Sequence, residues 1–178
     1  NLQPGNVHRC SKCETGVGGK GQDVGVALSC LMSTTTEKKQ KTPDINDNKV
    51  LLAQFLGQGA EGEQVSNILK KQHGLSDALT IRNAAPLRTC TTIVGESEAT
   101  ELVETSGEVT PTEMKALQDK VDELTNTGGK ANCICIMGSM PPGCSDDTYA
   151  DLTSRLADKE SLILIDSVIG LKPLLRVL

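Results

Sequence analysis

Aromatic residues are nearly missing from this sequence: one Phe, one Tyr and no Trp. That excludes a stacking platform for single-stranded nucleic acid. Long basic runs are also missing, and the formal net charge is −5. Nucleic acid and anionic membrane surfaces demand clustered Lys and Arg, so both are excluded as main partners. No segment approaches the roughly 18 consecutive apolar residues of a membrane-spanning helix, and no signal-peptide pattern is present. His8 and His73 are isolated, and the Cys10–Cys13 pair has no second C-x-x-C or H-x-x-x-H. No metal site is assigned to side chains. The sequence begins with Asn1 rather than Met and stops inside the apolar run "LKPLLRVL". Both ends read as cut, so the expectation is a piece of a longer protein.

What is present suits one globular domain with a sizeable core: 178 residues, 37% of them hydrophobic. Seven cysteines is an odd number. Cys133 and Cys135 alternate with Ile in "CICIM", a buried-strand pattern, and Cys30 falls on an apolar helix face. Buried free thiols behave as small hydrophobes. The set fits a reducing compartment better than a disulfide framework, hence a cytoplasmic location, or a plastid if a transit peptide precedes Asn1.

Along the chain, Val24, Ala27, Leu28 and Leu31 sit at i, i+3, i+4 and i+7, one face of a helix beginning at the glycine-rich "GVGGKGQD". The polar stretch 33–48 reads as a surface loop or insertion. "KVLLAQFLG" is expected to be a buried strand ending at Gly57, and 61–73 a helix with Val65, Ile68 and Leu69 inward. "ALTIR", "TCTTIV" and "TELVE" are strand-like, the last two close enough to pair as a hairpin. "TPTEMKALQDKVDELTNTGG" has Thr110 as N-cap, Pro111 at the first helical position and Glu113 closing a capping box. Met114, Leu117, Val121 and Leu124 line its inner face. "NCICIM" and "SLILID" read as fully buried strands, with a helix carrying Tyr149, Leu152 and Leu156 between them, capped by Ser145 or Asp146. Apolar strands alternating with helices predict an α/β fold whose parallel sheet is covered on both faces. Ligands then bind beyond the carboxyl ends of the strands, where "GSMPPG" and Asp166 fall.

The glycine segment invites nucleotide readings, which fail in different ways. Placing Gly19-Lys20 as the G-K of a P-loop puts Glu14 where the first glycine belongs and Gly21 where Ser or Thr must meet Mg²⁺. Gly16-x-Gly18-x-x-Gly21 fits G-x-G-x-x-G by letter. The preceding "VHRCSKCET" is polar rather than a strand, and Glu37 lies in a loop rather than at a second strand's end. A nicotinamide-dependent dehydrogenase therefore rests on that match alone.

"GGKGQDVGVAL", "GAEGEQVSNILKKQHGL", "TCTTIV", "TELVETSGEVTPTE", "GSMPPG" and "LILID" stand in an order and spacing that resembles the ribokinase-like, PfkB-type carbohydrate kinases. Within that family the likeness is to the phosphosugar branch, of 1-phosphofructokinase and tagatose-6-phosphate kinase. It covers nearly the whole chain except 33–48. The resemblance implies a three-layer α/β/α fold, truncated at both ends, with a mainly parallel central sheet. It also implies a small β lid near 7–14 and 89–104, through which a homodimer would form. The implied function is ATP- and Mg²⁺-dependent phosphorylation of a ketohexose phosphate: fructose 1-phosphate, fructose 6-phosphate or tagatose 6-phosphate.

The same resemblance implies that Gly18, Gly19, Lys20 and Gly21 grip the sugar, with Asp23 where the family usually has Asn. Glycine lets backbone N–H groups approach a ligand closely, and a helix start favours anionic or polar groups. A carboxylate there only accepts hydrogen bonds and repels a nearby phosphate. Arg88 matches an arginine aimed at the substrate phosphate, where a guanidinium can bond two oxygens; Arg9 resembles a second basic position. Ser139 and Asp166 match sugar-side positions. Read without the resemblance, Arg9 and Arg88 are surface charges, Ser139 stabilises a turn and Asp166 caps a helix. The resemblance places the catalytic base, an Asp of a later "GAGD"-type motif, beyond Leu178, so no catalytic residue is expected in this chain. An inactive remnant or a sugar-binding module without the ATP half is the alternative.

Overall fold

The computed structural model describes residues 5–36, 50–95 and 97–178, with side chains 34–36 left aside. Among them the order is α1 (Lys20–Thr36), β1 (Gln54–Gly57), α2 (Ala60–His73), β2 (Thr80–Asn83), β3 (Cys90–Val94) and β4 (Ala99–Val103). It continues with α3 (Pro111–Asn126), β5 (Cys133–Met137), α4 (Thr148–Leu156), β6 (Leu162–Asp166) and the one-turn α5 (Leu171–Leu174).

The fold is α/β in three layers. β1 and β2 run parallel with Phe55 opposite Ile81, and β5 and β6 run parallel with Cys135 opposite Leu164. One face of the β1–β2 pair packs on α3: Leu79, Ile81, Leu117 and Val121 form a core that Leu51, Phe55 and Leu124 extend. The other face is covered from α1 and α2, where Leu52, Leu69 and Leu75 cluster with Val26 and Val65. Burial on both faces explains why these strands read as continuous apolar runs rather than alternating ones.

The α3 start forms as its residues dictate. The Thr110 hydroxyl accepts from the Glu113 N–H at 3.2 Å, and Glu113 Oε2 accepts from the Thr110 N–H at 2.7 Å, with Pro111 at the first helical position. "TCTTIV" and "TELVE" pair as the antiparallel hairpin β3–β4, Thr92 opposite Glu101.

Several expectations are corrected. Ala27, Leu28 and Leu31 do not face inward; Leu31 is 64% exposed. The packed point of α1 is Gly25, where an added Cβ would lie 2.6 Å from Leu52 Cδ2. A close backbone approach, not an apolar stripe, therefore docks this part of the helix. The helix also continues through residues 33–36, where Ser33 Oγ donates back to Ser29 O at 2.8 Å; the rest of the 33–48 stretch lies outside the described residues. The lid strand expected near 7–14 is not formed: this polar stretch pairs with no strand, and the hairpin stands as a two-stranded sheet. α4 begins after Asp147, without a side-chain cap from Ser145 or Asp146. β5 and β6 are not fully buried, and Cys30 and Cys133 are exposed. The sheet face carrying Cys133, Leu162 and Leu164 has too little packed against it to close.

Candidate functional site

The carboxyl ends of β5 and β6 meet the start of α1. Lys20 Nζ lies 2.9 Å from Asp166 Oδ2, an ion pair across 146 residues of sequence. The turn into α1 depends on Gly19, whose φ of 114° is a conformation that L side chains rarely adopt. The Asp23 N–H then donates to Gly19 O at 2.9 Å, closing the first helical turn. Beside it, Gly138 follows β5 with its N–H donating to Asp166 O at 2.8 Å, while the Tyr149 hydroxyl donates to Gly138 O. Burial pushes the Tyr149 phenol above its ordinary range, against an opposing hydrogen bond with Ser167, so it serves here as a neutral donor.

These groups open into one cavity of about 2180 Å³. Gly18, Gly19, Lys20, Gly21, Arg9, Arg88, Ser139 and Asp166 all border it, together with residues from most of the elements; of these, Lys20 and Asp166 are in direct contact. Asp23 is the exception. It is exposed on α1 and does not line the cavity. Arg88 sits at the hairpin base, its guanidinium donating to Ser106 Oγ at 3.2 Å; alongside, the Thr89 N–H donates to Glu104 Oε2 at 2.8 Å.

Sequence reading missed Asn83 and the Gln22–Gln54 pair. Asn83 is a buried polar residue at the carboxyl end of β2 and lines the same cavity. The strand-end rule that singled out Asp166 also points to it. Gln22 Nε2 donates to Gln54 Oε1 at 2.7 Å, and Gln54 in turn donates to Thr80 Oγ1. This chain of amides ties α1 to the β1–β2 sheet, and nothing in the spacing of the two glutamines announces it.

Arg9, Lys20 and Arg88 are the basic side chains the sequence singled out that border the cleft, Lys20 in contact with the carboxylate of Asp166. The arrangement suits an anionic, hydroxyl-bearing ligand: guanidinium and ammonium for charge, glycine backbone and Ser139 for hydroxyls. Among the described residues no group of three His, Cys, Asp or Glu side chains could hold a metal ion.

The family model described as pfkB family carbohydrate kinase matches residues 1–177. No curated protein matches the sequence. Among solved structures, a possible 1-phosphofructokinase from Thermotoga maritima is 18% identical, with a TM-score of 0.75; the match covers 98% of this chain and 51% of that one. The tetrameric inhibited form of Escherichia coli phosphofructokinase-2 is 18% identical, TM-score 0.69, covering 99% of this chain and 52% of that one. The same enzyme in complex with substrates and products is 20% identical, TM-score 0.70, covering 94% and 48%. This chain thus spans about half the length of the structures it resembles.

Proposed function

Because the chain belongs to the pfkB family of carbohydrate kinases, we propose that it forms the acceptor side of a kinase that phosphorylates a ketohexose phosphate. The carrying observation is the Lys20–Asp166 contact, which draws the glycine turn to the strand ends inside a cleft shared with Arg9, Arg88 and Ser139. In this reading Arg88 and Arg9 hold the phosphate already on the sugar. The Gly18–Gly19 backbone, Lys20, Ser139 and Asp166 orient the hydroxyls. Fructose 1-phosphate, fructose 6-phosphate and tagatose 6-phosphate are the candidate acceptors.

Carbohydrate kinases of this family use ATP and Mg²⁺; ATP supplies the γ-phosphoryl group and Mg²⁺ neutralises its charge. The work of this chain's residues is to bind and orient the acceptor hydroxyl, and the base that takes its proton is assigned to none of them. The hairpin Cys90–Val103 exposes Val94, Leu102 and Val103, which supports a homodimer formed through it.

The test is ADP release by the protein carrying this chain, with each of the three sugar phosphates, ATP and Mg²⁺. Turnover with at least one supports the reading; no turnover on a panel of sugars and sugar phosphates rejects it. A second reading is a sugar-binding module without the ATP half. It predicts sugar-phosphate binding without ADP release.

A further inference from the structure

Tyr149 is the one tyrosine of the chain. It sits in the first turn of α4 with its side chain half-buried, outside the set of positions that the sequence singled out. Its hydroxyl donates to the carbonyl of Gly138 at 3.2 Å and hydrogen-bonds Ser167. Those partners belong to two separate loops, the turn after β5 and the loop after β6. The first carries Ser139, and the second follows directly on Asp166. The ring is held as well as the hydroxyl. Gly170, with a φ of 75°, lies so close that a Cβ there would stand 3.2 Å from Tyr149 Cδ2 and 2.9 Å from Met140 Cε. Both loops therefore meet at this one side chain.

Gly138 is held on both sides. Its N–H donates to Asp166 O at 2.8 Å, and its C=O accepts from the phenol. Its φ of 80° is a conformation that favours glycine. The peptide that follows is planar and trans, so the Gly138 C=O and the Ser139 N–H lie in one plane and point in opposite directions. Holding the carbonyl on the α4 phenol therefore aims the Ser139 N–H away from Tyr149. Neither that N–H nor the Ser139 hydroxyl has a hydrogen-bond partner among the described residues. Ser139 is exposed at the border of the cavity, so both groups are available to a ligand.

We infer that Tyr149 is a positioning residue of the acceptor site: its hydroxyl, through the Gly138 carbonyl, sets the Gly138–Ser139 peptide so that the Ser139 N–H and hydroxyl meet an oxygen of the sugar phosphate as a fixed pair. The inference rests on the acceptor-side reading of the cleft. Tyr149 acts through Ser139 and touches no ligand itself. Removing its hydroxyl leaves the ring against Gly170 but frees the peptide to rotate, so the loss falls on the acceptor and not on the nucleotide. Fixing the donors before the ligand arrives is what lowers the ordering cost of binding.

Gly138–Ser139 is the one Gly-Ser dipeptide in the sequence. Isotopic labels on the glycine carbonyl carbon and the serine nitrogen of the protein carrying this chain therefore give the chain a single carbonyl–amide NMR peak. Without ligand, Tyr149→Phe is expected to displace that peak and to lower the Ser139 N–H order parameter from about 0.85 to below about 0.6. Fructose 6-phosphate is expected to shift the wild-type peak. Its affinity, read from that shift, should fall about 3- to 10-fold in Tyr149→Phe, the loss of one hydrogen bond, while affinity for ATP is unchanged. A Tyr149→Phe peak at the wild-type position with an unchanged order parameter overturns the inference. Equal weakening of sugar phosphate and ATP, or weakening of neither, also overturns it, since that is what a merely structural tyrosine gives. A wild-type peak that fructose 6-phosphate, fructose 1-phosphate and tagatose 6-phosphate all fail to move is a separate outcome: it removes the acceptor-side reading itself, and the inference with it.

Discussion

At the scale of single residues, the account rests on charge placed at a strand edge. Lys20 and Asp166 are both more than half exposed, so their ion pair adds little to stability, at most about 1 kcal/mol. Its value is positional. Arg88→Ala should weaken fructose 6-phosphate binding about 10- to 100-fold, the loss expected for a hydrogen bond to a charged group, while leaving fructose binding unchanged; calorimetric titration reads both. Equal weakening for sugar and sugar phosphate would remove Arg88 from the phosphate. Acid sensitivity lives at other residues. Lys70, hydrogen-bonded and charged beside Asp77, holds that carboxyl below its usual range. Burial raises Asp151, but the hydrogen bonds from Arg155 and Gln118 outweigh it and leave it lowered as well. A carboxyl whose folded pKa lies below its unfolded value contributes stability above the unfolded pKa, about 3.9 for Asp. That contribution is lost as pH falls through the folded value. Unfolding should therefore set in below about pH 4, and Asp151→Asn should flatten the profile there; a profile unchanged by that substitution contradicts the assignment.

At the scale of elements, legibility followed the kind of signal. α3 was fully readable because its cap, first-turn proline and inner stripe are all local, and the β3–β4 hairpin because its two runs are close in sequence. Thr110→Ala should cost about 1 kcal/mol, measured as a shift in the denaturant midpoint with unchanged slope; no shift would mean that α3 is held by packing alone. In α1 the apolar period does not mark the buried face. Its docking rests on a glycine that lets the backbone reach Leu52, a signal carried by an absent side chain. Gly25→Val should therefore destabilise by about 1–3 kcal/mol, the usual cost of overpacking, although Val favours burial elsewhere. The lid strand near 7–14 failed for another reason: a strand forms only against a partner, and polar residues give no pattern that names one.

At the scale of the whole molecule, the strand-end rule for α/β sheets, which needs only element order, points to Ser139 and Asp166, whereas the glycine, Arg9 and Arg88 positions come from the family resemblance. Sequence reading passed over Asn83, to which the same rule points, and the Gln22–Gln54 tie, which depends on how α1 lies against β1. It also took β5 and β6 as fully buried, whereas Leu162 and Leu164 lie exposed on one face. Open strand edges and an uncovered apolar face drive self-association, so the 178-residue chain alone should sediment above monomer size at micromolar concentration. A monomer that melts cooperatively would contradict that. The central claim is that the glycine turn, Lys20 and Arg88 form a sugar-phosphate site, and saturation-transfer NMR tests it most directly because ligand signals survive protein association. Fructose 6-phosphate should give a transfer signal that tagatose 6-phosphate displaces and that the Lys20→Ala, Arg88→Ala double variant abolishes. An undiminished signal from that variant, or transfer to NAD but to no sugar phosphate, would contradict the account.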